Sequence, residues 1–226
     1  MTYYALILDS NGNGIGAHSY VEEPASYPSN EIACTQAQAQ TPAAWQVVNG
    51  SLVQSLTYAQ ATQSALIKQG FNNAVAAIPF TINGVNYTLD AAQTKQAADM
   101  AIVVAANNAV NHPVLWAAST PVAQYAIQLV GSSYLFCTVA GTTGTTAPTP
   151  PTTFGTPVTD GTVTWELYGR TLELSDGSHA TFTVQELVSI FQQVEVYIHY
   201  QKNQKLSLLA QIAAATTVSA VQAIVW

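Results

Sequence analysis

The hydrophobic pattern of the first fifty-odd residues predicts short strands separated by turns. Tyr3–Leu8 is an aromatic and aliphatic run that stops at residues 9–14, where Asn-Gly pairs favour the positive φ that hairpin turns require. A second strand pair is predicted on either side of Asn49 and Gly50, and prolines interrupt the stretch between the two pairs. Residues 1–56 are therefore expected to form an N-terminal β segment.

The pattern then changes to helical spacing. Residues 58–77 repeat small and apolar side chains at intervals of three and four, and Thr57 is the predicted N-cap. Residues 80–89 form two alternating arms around an Asn-Gly pair, which predicts a β-hairpin. Asp90 is placed to cap a second helix over residues 91–109, whose small side chains favour close helix packing.

A long helix is predicted near the end of the chain. Residues 171–182 suggest a strand pair around an Asp-Gly turn, and Thr183 and Glu186 then have the spacing of a capping box. Thr216 or Thr217 is expected to cap a last short helix. Polar residues interrupt the apolar stripe of the long helix, which favours packing within the chain over a coiled coil. That stripe comprises Leu187, Phe191, Val194, Ile198, Leu209 and Ile212.

The middle of the chain lacks a helical period. Between residues 113 and 169 it is rich in Thr, Gly and Pro, and residues 140–153 have the composition of a linker. Apolar strands are predicted on both sides, over 134–139 and 163–168. We therefore expect a loop inside a small β module.

Together these patterns predict an α+β fold with three parts. Residues 1–56 supply short N-terminal β-hairpins, and residues 57–112 with 170–226 form a helical body with hairpins. Residues 113–169 form a small all-β module, barrel-like or sandwich-like, inserted between the two halves of that body.

The number and distribution of charged residues limit the classes of function that the chain can have. Charged residues make up 8% of the 226 residues, against about 25% in typical soluble proteins. Five Lys and Arg residues stand against 12 Asp and Glu residues, for a net charge of −7 without a basic run. Binding to phosphate backbones needs clustered cations, so we expect no nucleic-acid partner.

The termini and cysteines carry further expectations. The start of the chain lacks the basic region of a signal peptide, and the most apolar helical stretch, residues 97–106, is about half the ~20 residues that cross a bilayer. We therefore expect folding in a cytoplasm and no membrane insertion. Cys34 and Cys137 lack zinc-site spacing, and a bridge between them is left open.

The sequence offers no pattern typical of catalysis. The four histidines (18, 112, 179 and 199) fall in different predicted elements and lack metal-ligand spacing. The glycines of residues 12–16 are not followed by the Gly-Lys-Ser/Thr of a phosphate loop. We expect no enzyme activity, no cofactor and no metal site.

Aromatic residues are concentrated in the middle segment. Most are expected to form its small core, but any that face outward would present an apolar platform on which sugar rings stack through their C–H faces. The candidate glycan contacts are Trp116, Tyr125 and Trp165.

An ordered motif runs through the middle segment. Residues 134–165 contain, in order, Cys137, a Gly-Thr loop, prolines and an Asp-Gly-x-Val-x-Trp ending. With this motif the segment resembles a small β module of tailed-phage fibre and virion proteins, similar to the chitin-binding type of carbohydrate module. Trp116 and the strand at 125–130 fit the usual lead-in. One position differs, because a residue that is often aromatic in such modules is Pro150 here.

A second resemblance lies in the flanking residues. Residues 83–90 with the helix after them, and residues 172–218, are similar to an uncharacterised domain family of phage tail and tail-fibre regions. It implies a structural protein of the virion tail, assembled in the host cytoplasm, that contacts other virion proteins and its own copies, with host-surface attachment as a further role. Two alternatives stay open: a tail-fibre assembly chaperone absent from the mature particle, and a receptor-recognition protein that binds host surface glycans.

Overall fold

The computed structural model describes residues 2–90 and 106–226. The chain divides into two compact units, the first comprising Met1–Asn72 and Gln201–Trp226 and the second Asn73–Tyr200. These boundaries differ from the predicted divisions after residues 56, 112 and 169.

The prediction of a helical body was wrong. Of the described residues, 33% are helical and 35% lie in strands, and the strands form many small antiparallel sheets. The β-hairpins predicted at residues 80–89 and 171–182 are confirmed, at residues 77–90 and 169–183, but strands occupy as much of the described chain as the helices do. The physical reason is a two-residue alternation of buried and exposed side chains in these segments, for example over Ala77–Ile82.

The first unit begins with a three-stranded antiparallel sheet whose first strand in sequence lies in the middle, followed by a two-stranded hairpin. The predicted hairpins at residues 9–14 and at Asn49 and Gly50 are confirmed. The elements that lie in or enter this unit are β1 (Tyr3–Leu8), β2 (Gly14–Tyr20), β3 (Glu31–Cys34), α1 (Gln36–Ala39), a 3-10 turn (Pro42–Ala44), β4 (Trp45–Val48), β5 (Ser51–Gln54), α2 (Leu56–Ala76), α3 (Val184–Ala214) and α4 (Val218–Gln222).

A small apolar core joins the helices of the first unit. Ile67 of α2, Ile212 of α3 and Val221 of α4 are at most 1% exposed. Trp226 packs against α2 at Gly70, where an added Cβ would lie 2.5 Å from the indole. A glycine inside a helix costs about 1 kcal/mol relative to alanine. The close approach of Trp226 explains why residue 70 is a glycine despite this cost.

Hydroxyl side chains begin two of these helices. The Ser55 hydroxyl accepts a hydrogen bond from the Tyr58 amide (3.3 Å), so Ser55 takes the capping role that was predicted for Thr57. Thr217 caps α4 by accepting from the Ala220 amide (3.2 Å), as predicted. Both caps satisfy amides that have no partner within the helix.

The second unit combines three hairpins or strand pairs with a four-stranded antiparallel sheet. Of the helix predicted over 91–109, residues 91–105 lie outside the described ranges, and residues 106–111 are helical. The strands are β6 (Ala77–Ile82), β7 (Val85–Asp90), β8 (Pro121–Val122), β9 (Ile127–Val130), β10 (Ser133–Val139), β11 (Gly141–Thr142), β12 (Val158–Asp160), β13 (Val163–Leu167), β14 (Gly169–Glu173) and β15 (His179–Thr183).

The larger core of the second unit is built where the hairpins meet the start of α3. Phe80 of β6 and Phe182 of β15 pack edge to face with ring centroids 5.8 Å apart, and Leu187 of α3 is fully buried in the same cluster. The predicted capping box is confirmed. The Thr183 amide donates to the Glu186 carboxylate (2.8 Å), and the Glu186 amide donates to the Thr183 hydroxyl (3.3 Å).

The β1–β2 turn gives a testable pH dependence. The Asp9 carboxylate accepts hydrogen bonds from the side chain (2.9 Å) and the backbone amide (2.8 Å) of Asn13, and these bonds lower the pKa of Asp9 below 3.8. Because the folded pKa lies below the unfolded one, this stabilisation is present above the unfolded pKa and is lost as the pH falls through the folded pKa. We expect an NMR titration to show the Asp9 pKa rising in Asn13→Ala and unchanged in Ser10→Ala. An unchanged pKa in Asn13→Ala would contradict this assignment.

Candidate functional site

The predicted middle segment contains a core of its own. Its four-stranded sheet pairs β10 with β9 and β13, and β13 with β12, all antiparallel. One face of this sheet is closed by apolar side chains that are at most 8% exposed. These are Val122, Val130, Leu135, Cys137, Val163, Trp165 and Leu167.

A buried carboxylate lies at the end of this core. Asp160 is 4% exposed and ends β12 at the turn into β13. Its Oδ2 accepts from the indole N–H groups of Trp116 (2.7 Å) and Trp165 (3.1 Å), and its Oδ1 accepts from the Gly144 amide (2.7 Å). Burying a carboxylate without partners is costly, and these N–H donors offset that cost. We call Asp160 and its three donors the Asp160 hub.

The Gly-Thr loop is fixed beside this hub. Gly161 has a φ of +61°, and a Cβ at this position would lie 2.3 Å from the Thr142 carbonyl oxygen, so the turn requires glycine. The buried Thr143 hydroxyl donates to the Ala117 carbonyl (2.7 Å) and accepts from the Thr120 amide (2.8 Å). The hydrogen bonds of residues 142–144 thus fix the start of the predicted loop to the lead-in segment.

The structure places Trp165 and Trp116 together, in the packing of the module. Trp165 was predicted as a candidate glycan contact. It is 0% exposed, so it presents no ring surface to a sugar. Trp116 is half-buried, packs against the same core and donates its N–H to Asp160. The indole groups meet at a carboxylate because both N–H donors need a partner once buried.

Tyr125, the third candidate, faces outward. Its side chain is 73% exposed and its φ is +68°, a left-handed conformation that is uncommon for a bulky residue. Its amide donates to the Cys137 carbonyl (2.7 Å), which holds the strained backbone in place. Strain of this kind persists only where the surroundings enforce it. Tyr125 does not take part in the Asp160 hub.

Tyr125 lines a cleft of about 320 Å³ on the other face of the sheet. Phe136 of β10 lies opposite Ile127 of β9, so their side chains share this face. The rings of Phe136 and Tyr168 meet edge to face, with centroids 6.3 Å apart and planes at 64°. The residues of this aromatic cleft are Tyr125, Ile127, Phe136, Tyr168, Gly169 and Arg170.

Arg170 brings a positive charge to the aromatic cleft. Its guanidinium carbon lies 5.6 Å from the centroid of the Tyr168 ring, and its Nε–H donates to the Tyr168 hydroxyl (3.2 Å). No carboxylate of the described residues lies within 4.0 Å of its nitrogens.

Sequence reasoning did not assign Phe136, Tyr168 or Arg170 to a site. The alternation along β10 signals that Tyr134 and Phe136 share a face, and Arg170 follows Tyr168 by two residues. Pairing across β9, β10 and β13 is needed to bring these side chains to Tyr125. That pairing is set by tertiary structure.

A second polar cluster lies on the N-terminal sheet. The Glu31 carboxylate, whose side chain is 4% exposed, contacts His18 Nδ1 at 2.8 Å and accepts a short hydrogen bond from the Tyr20 hydroxyl. The bond to Glu31 raises the pKa of Tyr20. Within the described ranges, no group of three or more His, Cys, Asp and Glu side chains is placed to hold a metal ion.

Both cysteines are free thiols. Burial raises the pKa of Cys34 and of Cys137, and the Cys137 thiol donates to the Val139 carbonyl at 3.1 Å. A raised pKa lowers the thiolate fraction, so both side chains have reduced nucleophilicity.

Across residues 2–90 and 106–226, no helix combines the length and the apolar character needed to cross a bilayer. In comparisons with known proteins, no family model, no curated protein and no solved structure matches this chain. The resemblance of the middle segment to a phage virion module therefore stays a prediction.

We predict that the stability of the chain depends on the Asp160 carboxylate. Asp160→Asn replaces one acceptor oxygen by an NH₂ group that faces N–H donors, so we expect the free energy of unfolding to fall by about 1–3 kcal/mol in chemical denaturation. Asp176 also precedes a glycine at a hairpin turn but is exposed, so Asp176→Asn is the matched control and should have little effect. Equal effects of the two substitutions would contradict the role of the hub.

Proposed function

We propose that this chain is a non-enzymatic structural component of a tailed-phage virion, located in the tail or a tail fibre. Its work there is to make assembly contacts with other virion proteins and with copies of itself. The observation that carries the proposal is the Asp160 hub. It joins Gly144, Asp160 and Trp165, which carry the resemblance to phage virion modules, with the lead-in Trp116. These residues close a core, which gives the order of the motif a structural reason.

Surface composition supports a role in assembly. With 8% charged residues, neighbouring copies repel each other little. Large apolar side chains are exposed on each unit, such as Val21 (89%) in the first and Val196 (70%) in the second. Covering such groups against a partner yields about 25 cal/mol per Å² of apolar area.

Two further roles compete with this proposal. An assembly chaperone would share the N-terminal and helical features but would leave the finished particle. Host attachment through a glycan is favoured by a separate observation, the outward Tyr125 at the aromatic cleft. Aromatic walls with a few polar groups are typical of small-molecule sites.

Composition of the purified particle separates these roles. We expect mass spectrometry of density-purified virions of the encoding phage to detect peptides of this chain at a fixed ratio to the known tail proteins. The matched sample is the particle-free fraction of the same lysate. Detection only in that fraction would contradict the structural role and favour the chaperone.

A further inference from the structure

Arg170 has hydrogen-bonding capacity that the described residues do not use. Arginine carries five N–H donors, and the Nε–H of Arg170 is the one bonded to Tyr168. Its two terminal nitrogens have no carboxylate of the described residues within 4.0 Å. The paired N–H groups of a guanidinium match the two oxygens of a carboxylate, and cation and anion strengthen such bonds.

The walls beside Arg170 suit a flat ring with an apolar face. Phe136 and Tyr168 meet at 64°, so they form a corner rather than a single plane. Tyr125 adds an exposed ring that its strained backbone directs away from the core. A volume of about 320 Å³ lies at the small end of the ~300–1,000 Å³ found for ligand sites, which fits one or two sugar rings.

One acid constrains the orientation of a ligand. Glu166 of β13 lies opposite Phe136, so it shares the face of the sheet on which the cleft lies, but it does not line the cleft. Its carboxylate repels an anion at that side, whereas Arg170 attracts one. In a chain of net charge −7, a guanidinium that has no carboxylate partner among the described residues attracts an anionic group locally.

We propose that the aromatic cleft binds a sugar ring that carries a carboxylate, as in a uronic acid. Arg170 receives the carboxylate through its terminal N–H groups, and Tyr125 with Phe136 and Tyr168 contacts the ring. This inference rests on the glycan-attachment role proposed above and adds to it the charge of the ligand.

The test uses the full chain and a pair of probes with the same sugar backbone, trigalacturonic acid and its uncharged methyl ester. We expect titration calorimetry at low salt to give a dissociation constant about tenfold lower for the acid, with the difference shrinking at high salt. Arg170→Gln should bind the two probes with equal dissociation constants. Arg170→Lys should keep part of the preference, because lysine retains the charge without the fork. Lys202 does not line the cleft, so Lys202→Gln is the control that removes a positive charge and should keep the preference for the acid.

The aromatic part is tested with the same probes. Tyr125→Ala should weaken the binding of both probes by at least about tenfold, because both lose the same ring contact. Tyr200 is an exposed tyrosine that does not line the cleft, so Tyr200→Ala should bind like the unaltered chain. Thermal unfolding of each variant checks that loss of binding is not loss of folding.

The contradicting outcomes are distinct. Equal affinity for both probes, with loss in Tyr125→Ala, overturns the charge inference and leaves glycan attachment standing. Binding of neither probe, nor of a neutral N-acetylglucosamine oligomer, overturns glycan attachment at this cleft as well. Tighter, Arg170-dependent binding of a peptide with a free terminal carboxylate overturns the choice of a sugar.

Discussion

Burial of the Asp160 carboxylate is the constraint on which the module depends. A buried carboxylate must find donors, and here the donors come from three segments that are distant in sequence: the lead-in at Trp116, the loop at Gly144 and strand β13 at Trp165. The loop can approach only because residue 144 lacks a side chain, since a Cβ there would lie 2.8 Å from Asp160 Oδ1. The Asp160 carboxylate thus orients two indole rings and requires a glycine at residue 144.

The same constraint divides the aromatic residues of the module into two sets. The indole of Trp165 lies wholly within the core and offers no binding surface, and the half-buried Trp116 packs against that core. The exposed ring of Tyr125 and the edge-to-face pair of Phe136 and Tyr168 lie at the aromatic cleft. The hub is therefore the basis of the structural role that we propose, and the aromatic cleft is the basis of the attachment role.

Local signals in the sequence predicted local structure well. The β6–β7 hairpin follows from an Asn-Gly pair between alternating arms, and the start of α3 follows from the capping box of Thr183 and Glu186, because each is decided within a few residues. The helical body was wrong because segments with a two-residue alternation, such as β6, build small sheets that occupy as much of the described chain as the helices do. The burial of Trp165 and the meeting of the Phe136 and Tyr168 rings depend on pairing between strands that are distant in sequence.

Hydrogen exchange of the indole N–H protons, measured by NMR, tests the central claim most directly. Trp116 is only half-buried, so burial alone would leave its N–H open to exchange, whereas a hydrogen bond to Asp160 would protect it. The account predicts slow exchange for the indole protons of both Trp116 and Trp165, and faster exchange of both in Asp160→Ala. Exchange of the Trp116 proton at the rate of a free indole, unchanged by that substitution, would contradict it.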